Sequence, residues 1–183
     1  MMKTLGHGVA AATLALCVAG TANAQMSKPS NISVRAGIFS PTDSDARDIG
    51  NTWFAAGLEW KGGDLERSGS MMNAHAHWSI SVDWYGKDDA SAVPVLFNYV
   101  EKTTNFYWSA GIGFAFNSIP GSGYVPTEDA PGDKKTSTKF GYSLALGWDA
   151  PSNNGTPWFV EGRYFGNAQS ELNGFGLYVG IRF

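Results

Sequence analysis

Two histidines, a serine and an aspartate in one short segment are the residues best suited to chemistry. His75, His77, Ser79 and Asp83 are two or four residues apart, so in a strand they share one face. Such a set resembles a metal-binding pair or a hydrolase constellation in composition. Side chains two apart in a strand point in parallel, so two histidines alone make an incomplete ligand set. We expect polar lining here, with no catalytic residue, metal site or cofactor.

A cluster of carboxylates offers a second possible cation site. Asp43, Asp45 and Asp48 stand close together among hydroxyl residues, and oxygen ligands suit divalent cations. The spacing lacks the glycine and the terminal glutamate of a calcium loop, and Arg47 interrupts it. We therefore interpret this segment as a solvated loop.

The amino terminus has the pattern of a secretory signal peptide. Lys3 precedes a short apolar region at 9–18, and small residues follow up to Ala24. We predict cleavage between Ala24 and Gln25, which makes 1–24 the signal peptide and 25–183 the mature domain. The only cysteine, Cys17, lies in the signal peptide. The mature chain is therefore expected to fold without disulfides, although export exposes it to an oxidising compartment.

Composition restricts the class of the mature chain. Removing Lys3 leaves 12 basic residues against 16 acidic ones, a formal charge of −4, so nucleic acid is not an expected partner. The remaining 159 residues suit one domain. Aromatic residues make up 14% of the sequence and glycines number 23. These proportions, without a long apolar helix after the signal, favour strands as the structural elements.

Eight alternating segments follow, and the third is the clearest. Trp78, Ile80, Val82 and Trp84 alternate there with the polar residues of the His75 face. The predicted strands are 31–39, 52–61, 74–85, 92–100, 105–117, 138–149, 157–165 and 175–183.

Side-chain size indicates which face of the strands points inward. A soluble lipocalin-like barrel would place the large apolar face inside, but the interior of an eight-stranded barrel is only just wide enough for side chains to fill. The opposite face is rich in glycine, serine and alanine, which suit a narrow lumen. The sequence thus predicts an all-β fold, an eight-stranded antiparallel up-and-down transmembrane β-barrel.

The end of the chain connects this architecture with a known class. The last strand alternates apolar residues with Gly176, Tyr178, Gly180 and Arg182, and it ends on Phe183. In this ending the chain resembles the small outer-membrane barrels, which include outer membrane protein X, outer membrane protein W and the barrel domain of outer membrane protein A. The resemblance implies a monomer in the cell outer membrane of a Gram-negative-type envelope, with both termini in the periplasm. It also implies contact with outer-membrane lipids and lipopolysaccharide, and a role for Phe183 as an assembly signal for the barrel-assembly machinery.

The resemblance leaves three functions open. Similarity to outer membrane proteins A and X implies a structural, adhesive or defensive role through the outer loops, without catalysis, which is the function we expect. Similarity to outer membrane protein W implies a narrow, porin-like channel with lateral release of solutes, and Pro94 would remove one ladder hydrogen bond from the wall. A lipid A-modifying acylhydrolase is the third. The order His77, Trp78, Ser79 is similar to the His-x-Ser of that branch, but Ile80 stands where the family has asparagine.

Five charged residues have the parity of the lumen. They come from the first, second, seventh and eighth strands, which become neighbours when the barrel closes: Arg35, Glu59, Glu161, Arg163 and Arg182. Isolated charges in so narrow a space would be costly. We therefore predict a network of ion pairs that closes the inner half of the lumen, with three cations and two anions.

Overall fold

The computed structural model describes residues 31–65, 75–120, 134–151, 157–168 and 172–183. The predicted signal peptide and its cleavage residues, Ala24 and Gln25, lie outside these ranges. The barrel itself, Asn31–Arg182, forms one compact unit.

Eight antiparallel strands form a closed barrel in which each strand pairs with the next and the last pairs with the first. The strands are β1 Ile32–Pro41, β2 Trp53–Leu65, β3 His75–Lys87, β4 Ala90–Lys102, β5 Phe106–Pro120, β6 Lys134–Asp149, β7 Trp158–Asn167 and β8 Gly174–Arg182. The predicted up-and-down barrel and its eight strands are confirmed. We call the end where β1 begins and β8 ends the terminal end, and the opposite end the loop end.

Two strands extend well beyond their predicted bounds. β6 begins at Lys134 rather than at 138, and β2 continues to Leu65 rather than ending at 61. The extension of β2 follows a register shift between Lys61 and Asp64. Such a bulge breaks the period of two, which is why alternation alone placed the end of β2 too early.

The outer surface of the barrel is a belt of large apolar side chains. Leu146 is 72% exposed and Phe106 is 65% exposed, and aliphatic and aromatic residues with the same parity surround the barrel on all strands. A soluble protein could not present so large a continuous apolar surface to water. Closure pairs the backbone along every strand, as hydrocarbon requires. The predicted outward direction of the apolar face is confirmed, and the fold is that of a transmembrane barrel.

A short helix, α1 Ser44–Ile49, stands between β1 and β2 at the loop end. The Asp43 side chain caps it by accepting a hydrogen bond from the Asp45 amide at 2.9 Å. Ala46, a residue of this helix, is buried, so the segment is not the fully solvated loop that was expected from its carboxylates. In the described part of the chain, no helix is long and apolar enough to cross a membrane.

Candidate functional site

The inward-facing side chains fill the lumen in three layers, and the loop-end layer is aromatic. The Phe39 and Tyr85 rings stack with centroids 4.0 Å apart, and Phe165 lies 5.4 Å from Tyr85. Trp53 and Tyr178 complete this layer, each at most 1% exposed. We call these five side chains the aromatic layer. They leave no wide passage at this depth, since all of them are buried.

The segments above the aromatic layer hold it in place. Ala46 of α1 and Leu172 belong to the same buried cluster, and the Tyr85 hydroxyl donates to the Leu172 carbonyl at 2.8 Å. The Trp53 indole donates to the Gly50 carbonyl at 2.7 Å. The loop end is therefore packed from the lumen side and from the connections that cross it.

Glycines on the inward face make room for rings on that face, which is not lined mainly by the small residues that were expected there. A side-chain carbon built at Gly176 would lie 2.4 Å from the Tyr178 ring, and one at Gly180 would lie 2.3 Å from the Phe159 ring. Such approaches are shorter than contacts between carbon atoms allow. Small and large residues thus share the inward face, and Gly176 and Gly180 each lie next to a ring.

A charge network occupies the middle layer, and Arg35 is at its centre. Its guanidinium donates to both carboxylate oxygens of Asp83, from Nε and from Nη2, at 2.8 Å each. Its Nη1 donates to Glu59 Oε2 at 2.8 Å and lies 3.5 Å from Glu161 Oε1. Such forked contacts are the geometry in which arginine binds carboxylates best.

Register explains why Arg35 reaches Asp83 two strands away. Arg35 is opposite Gly57 on β2, and Gly57 is opposite Asp83 on β3. A side-chain carbon at Gly57 would lie 1.9 Å from Asp83 Oδ1. The missing side chain of Gly57 is therefore what allows the ion pair to form across β2.

Arg163 is the second cation of the network. Its Nε donates to Glu161 Oε1 at 2.8 Å, and its Nη2 lies 3.4 Å from Glu59 Oε2. The Tyr107 hydroxyl donates to Glu161 Oε2 at 2.9 Å, and the Ser79 hydroxyl donates to Glu59 Oε1 at 2.9 Å. Glu59 and Glu161 thus each accept a hydrogen bond from a hydroxyl group in addition to their ion pairs with arginine.

The structure brings four of the five predicted network residues together and adds one. Asp83 joins Arg35, Glu59, Glu161 and Arg163, so the network holds two cations and three anions rather than the reverse. Arg182 lies apart, because its strand position is opposite Ser33 whereas Gly180 is opposite Arg35. Two residues along a strand correspond to about 7 Å. Along β1, the network lies between Ser33, which is opposite Arg182, and Phe39 of the aromatic layer.

Arg182 belongs to the third layer, at the terminal end. Its Nη2 lies 3.2 Å from Asp149 Oδ1, and Lys102 pairs with the other oxygen of that carboxylate. The guanidinium lies 4.4 Å from the Phe159 ring centre and 5.0 Å from that of Tyr107. Cation–π contact and the ion pair together hold Arg182 across the terminal opening.

The structure also shows where the four residues lie that were first considered for catalysis or metal binding. Ser79 and Asp83 are buried in the network, His77 is 9% exposed, and His75 is exposed at the start of β3. Within the described ranges, no group of three or more histidine, cysteine or carboxylate side chains is placed to hold a metal. Parity alone would have placed Asp83 in the lumen, and register would have placed it beside Arg35.

The wall between β3 and β4 is interrupted near Pro94. Pairing runs from His75 to Val82 on β3 and resumes at Tyr85 in the same register. The interruption lies opposite Pro94, which lacks the amide proton that the ladder needs. On its other side Pro94 pairs with Ala115 of β5. The barrel is therefore closed throughout, with one locally weakened seam.

Solved structures with a similar fold include two outer-membrane proteins. A crystal structure of the outer membrane enzyme PagL matches with a TM-score of 0.48 and 15% identity, covering 82% of this chain and 99% of that one. The Yersinia pestis outer membrane protein Ail, in a phospholipid bilayer nanodisc, matches with a TM-score of 0.45 and 12% identity, covering 84% and 99%. No protein-family model and no curated protein matches the chain. These likenesses concern the fold alone, and the barrel assignment stands on the strand pairing itself.

Proposed function

We propose that this chain is an outer-membrane barrel with a closed lumen that acts without catalysis, through the segments at its loop end, in a structural, adhesive or defensive role. The apolar belt and the closed wall support residence in a membrane. An even number of strands places both termini on one side, which in this proposal is the periplasm, with lipopolysaccharide and outer-membrane lipids around the barrel.

The observation that carries this proposal is the buried charge network. Its residues are at most 8% exposed, although the lumen of an open pore would hydrate them: Arg35, Glu59, Asp83, Glu161 and Arg163. Such charges persist in a protein interior only when they are paired and hydrogen-bonded. With the aromatic layer above it, the network supports a role that needs no transport through the lumen.

The position of Ser79 supports a role without acyl hydrolysis. Its hydroxyl is fully buried and donates to the Glu59 carboxylate. Besides a base, a nucleophilic serine needs an open approach for substrate, whereas Ser79 is 0% exposed. Ser79 instead supports the ion pair of Glu59 with Arg35.

A narrow channel with lateral release is the second candidate, and the interrupted β3–β4 pairing favours it. A solute leaving through this seam would pass Pro94 and meet Asp83, which faces the lumen there. The Asp83 carboxylate is paired with Arg35, whose Nη2 lies 2.7 Å from Asp83 Oδ1. The seam therefore leads to the charge network, and this candidate requires the network to open.

Conductance of the refolded barrel in planar bilayers, together with liposome swelling, distinguishes the two candidates. We expect current and swelling to stay at the level of protein-free lipid. Pro94→Val, which restores the ladder donor, is the matched variant and should behave identically. Discrete current steps in the natural chain that Pro94→Val abolishes would contradict the closed lumen and favour lateral release.

The loop-end role has its own test. Replacing residues 121–133, between β5 and β6, with a short glycine-serine turn should leave refolding and heat-modifiable gel mobility unchanged. Cells that display this variant should lose adhesion to host matrix proteins or survival in serum relative to cells displaying the natural chain. If both properties are the same with and without the barrel, the adhesive and defensive roles are wrong.

A further inference from the structure

A groove on the outer surface of the barrel lies near the terminal end of β4 to β7. Its volume is about 490 Å³, within the range of small-molecule sites. Its outward-facing walls are Phe106, Trp108, Leu146, Trp148, Val160 and Gly162.

Gly162 creates the hollow. Its neighbours across the sheet are Leu146 on β6 and Leu177 on β8, which are 72% and 54% exposed. A side-chain carbon built at Gly162 would meet no heavy atom within 4 Å. The belt thus has a local gap one side chain deep, with long apolar side chains on both sides of it.

We propose that this groove binds an acyl chain of a phospholipid whose headgroup carries an ammonium group. The groove is continuous with the apolar belt, so the molecules that reach it at this depth are lipids. Trp108 and Trp148 line it close to the ends of β5 and β6 at the terminal end, and indole rings lie preferentially where hydrocarbon meets headgroups. The occupant therefore comes from the leaflet at the terminal end of the barrel.

Glu101 supplies the headgroup preference. It lines the groove and faces outward near the end of β4, and the Tyr99 hydroxyl lies 3.5 Å from its Oε2. A carboxylate at this level attracts an ammonium group and repels a lipid with net negative charge. Phosphatidylethanolamine has the required group, whereas phosphatidylglycerol does not.

Native mass spectrometry of the full refolded barrel, titrated in detergent with either lipid, tests the proposal. We expect one phosphatidylethanolamine to be retained per barrel. Gly162→Phe fills the hollow, and its first side-chain carbon would meet no heavy atom within 4 Å. It should lower the retained fraction about ten-fold because the acyl chain loses its buried apolar contact. Leu58→Phe adds bulk to the belt on β2, away from the groove, and should retain lipid like the natural chain.

The headgroup preference is tested separately. Glu101→Gln should bring retention of the two lipids to the same level while the Gly162 effect persists. Heat-modifiable gel mobility verifies folding of each variant, and Gly162→Val replaces Gly162→Phe if the latter does not refold. Undiminished retention in the folded Gly162 variant would overturn the groove as the binding site. Equal retention of both lipids by the natural chain would overturn the ammonium preference.

Discussion

Glu161 contacts both cations of the charge network and Tyr107. It accepts from Arg163 Nε at 2.8 Å and from the Tyr107 hydroxyl at 2.9 Å, and Arg35 Nη1 lies 3.5 Å from it. Glu161→Ala would leave two buried guanidinium groups with less compensation. We expect a loss of about 3 to 5 kcal/mol in the free energy of unfolding, measured by urea titration in lipid vesicles.

Two further variants separate the buried pair from a generic effect of charge removal. Glu161→Ala combined with Arg163→Ala removes both partners and should recover part of the lost stability. Asp64→Ala removes an exposed ion pair with Lys61 and should cost less than about 1 kcal/mol. If Glu161→Ala costs no more than Asp64→Ala, the network does not stabilise the barrel.

Alternation in the sequence was sufficient to predict which charged residues face the lumen. It was not sufficient to predict which of them form ion pairs with each other. Arg35, Glu59, Glu161 and Arg163 meet as their strands predict. Arg182 does not, because depth depends on the stagger between β8 and β1, which alternation does not encode. Asp83 was missed because its partner, Arg35, is two strands away and the contact passes over Gly57.

Each strand presents one of its two faces to lipid, and a substitution in β6 tests this orientation most directly. Leu144 lies in the middle of the β6–β7 pairing and is 56% exposed on the outer surface. Leu144→Arg should lower the free energy of unfolding by about 2 to 4 kcal/mol, because a guanidinium near the bilayer midplane loses hydration. Urea titration in vesicles measures this cost.

Depth provides the control for Leu144. Leu65 is 41% exposed at the last position of β2, so Leu65→Arg reaches the interface and should cost about 0 to 1 kcal/mol. Equal costs for both substitutions, or a Leu144→Arg variant that stays soluble without detergent, would contradict the position of the belt in the membrane.

Periodicity predicted the strands well because each one is buried on one side and meets lipid on the other. The departures have local causes. A bulge after Lys61 interrupts the alternation, so the sequence did not show where β2 ends. The six residues of α1 are too few to show a helical period. Phe159 and Phe165 broke the alternation in β7 because they are lumen residues. The Phe159 ring fills space that Gly180 leaves open, and that proximity is visible only in three dimensions.

At the scale of the whole molecule, the barrel is apolar outside, and side chains fill its lumen in the described part of the chain. The aromatic layer, the charge network and the Arg182 layer close the lumen at successive depths. Loss of one layer leaves the other two. Glu161→Ala should therefore destabilise the barrel without raising its conductance above the level of lipid alone.

Assembly of the whole barrel can be separated from its stability at Phe183. The pairing of β8 with β1 ends at Arg182, opposite Ser33, so deletion of Phe183 removes no paired residue. Refolding yield and urea stability in detergent should remain nearly unchanged. If Phe183 is the assembly signal that the resemblance to outer-membrane barrels implies, the same deletion should strongly lower the amount of folded barrel in the membranes of expressing cells.

Phe183→Tyr keeps an aromatic terminus and is the matched control, expected to assemble normally. Equal losses in detergent and in cells would show that Phe183 stabilises the barrel instead, and equal yields in both would show that it has neither role.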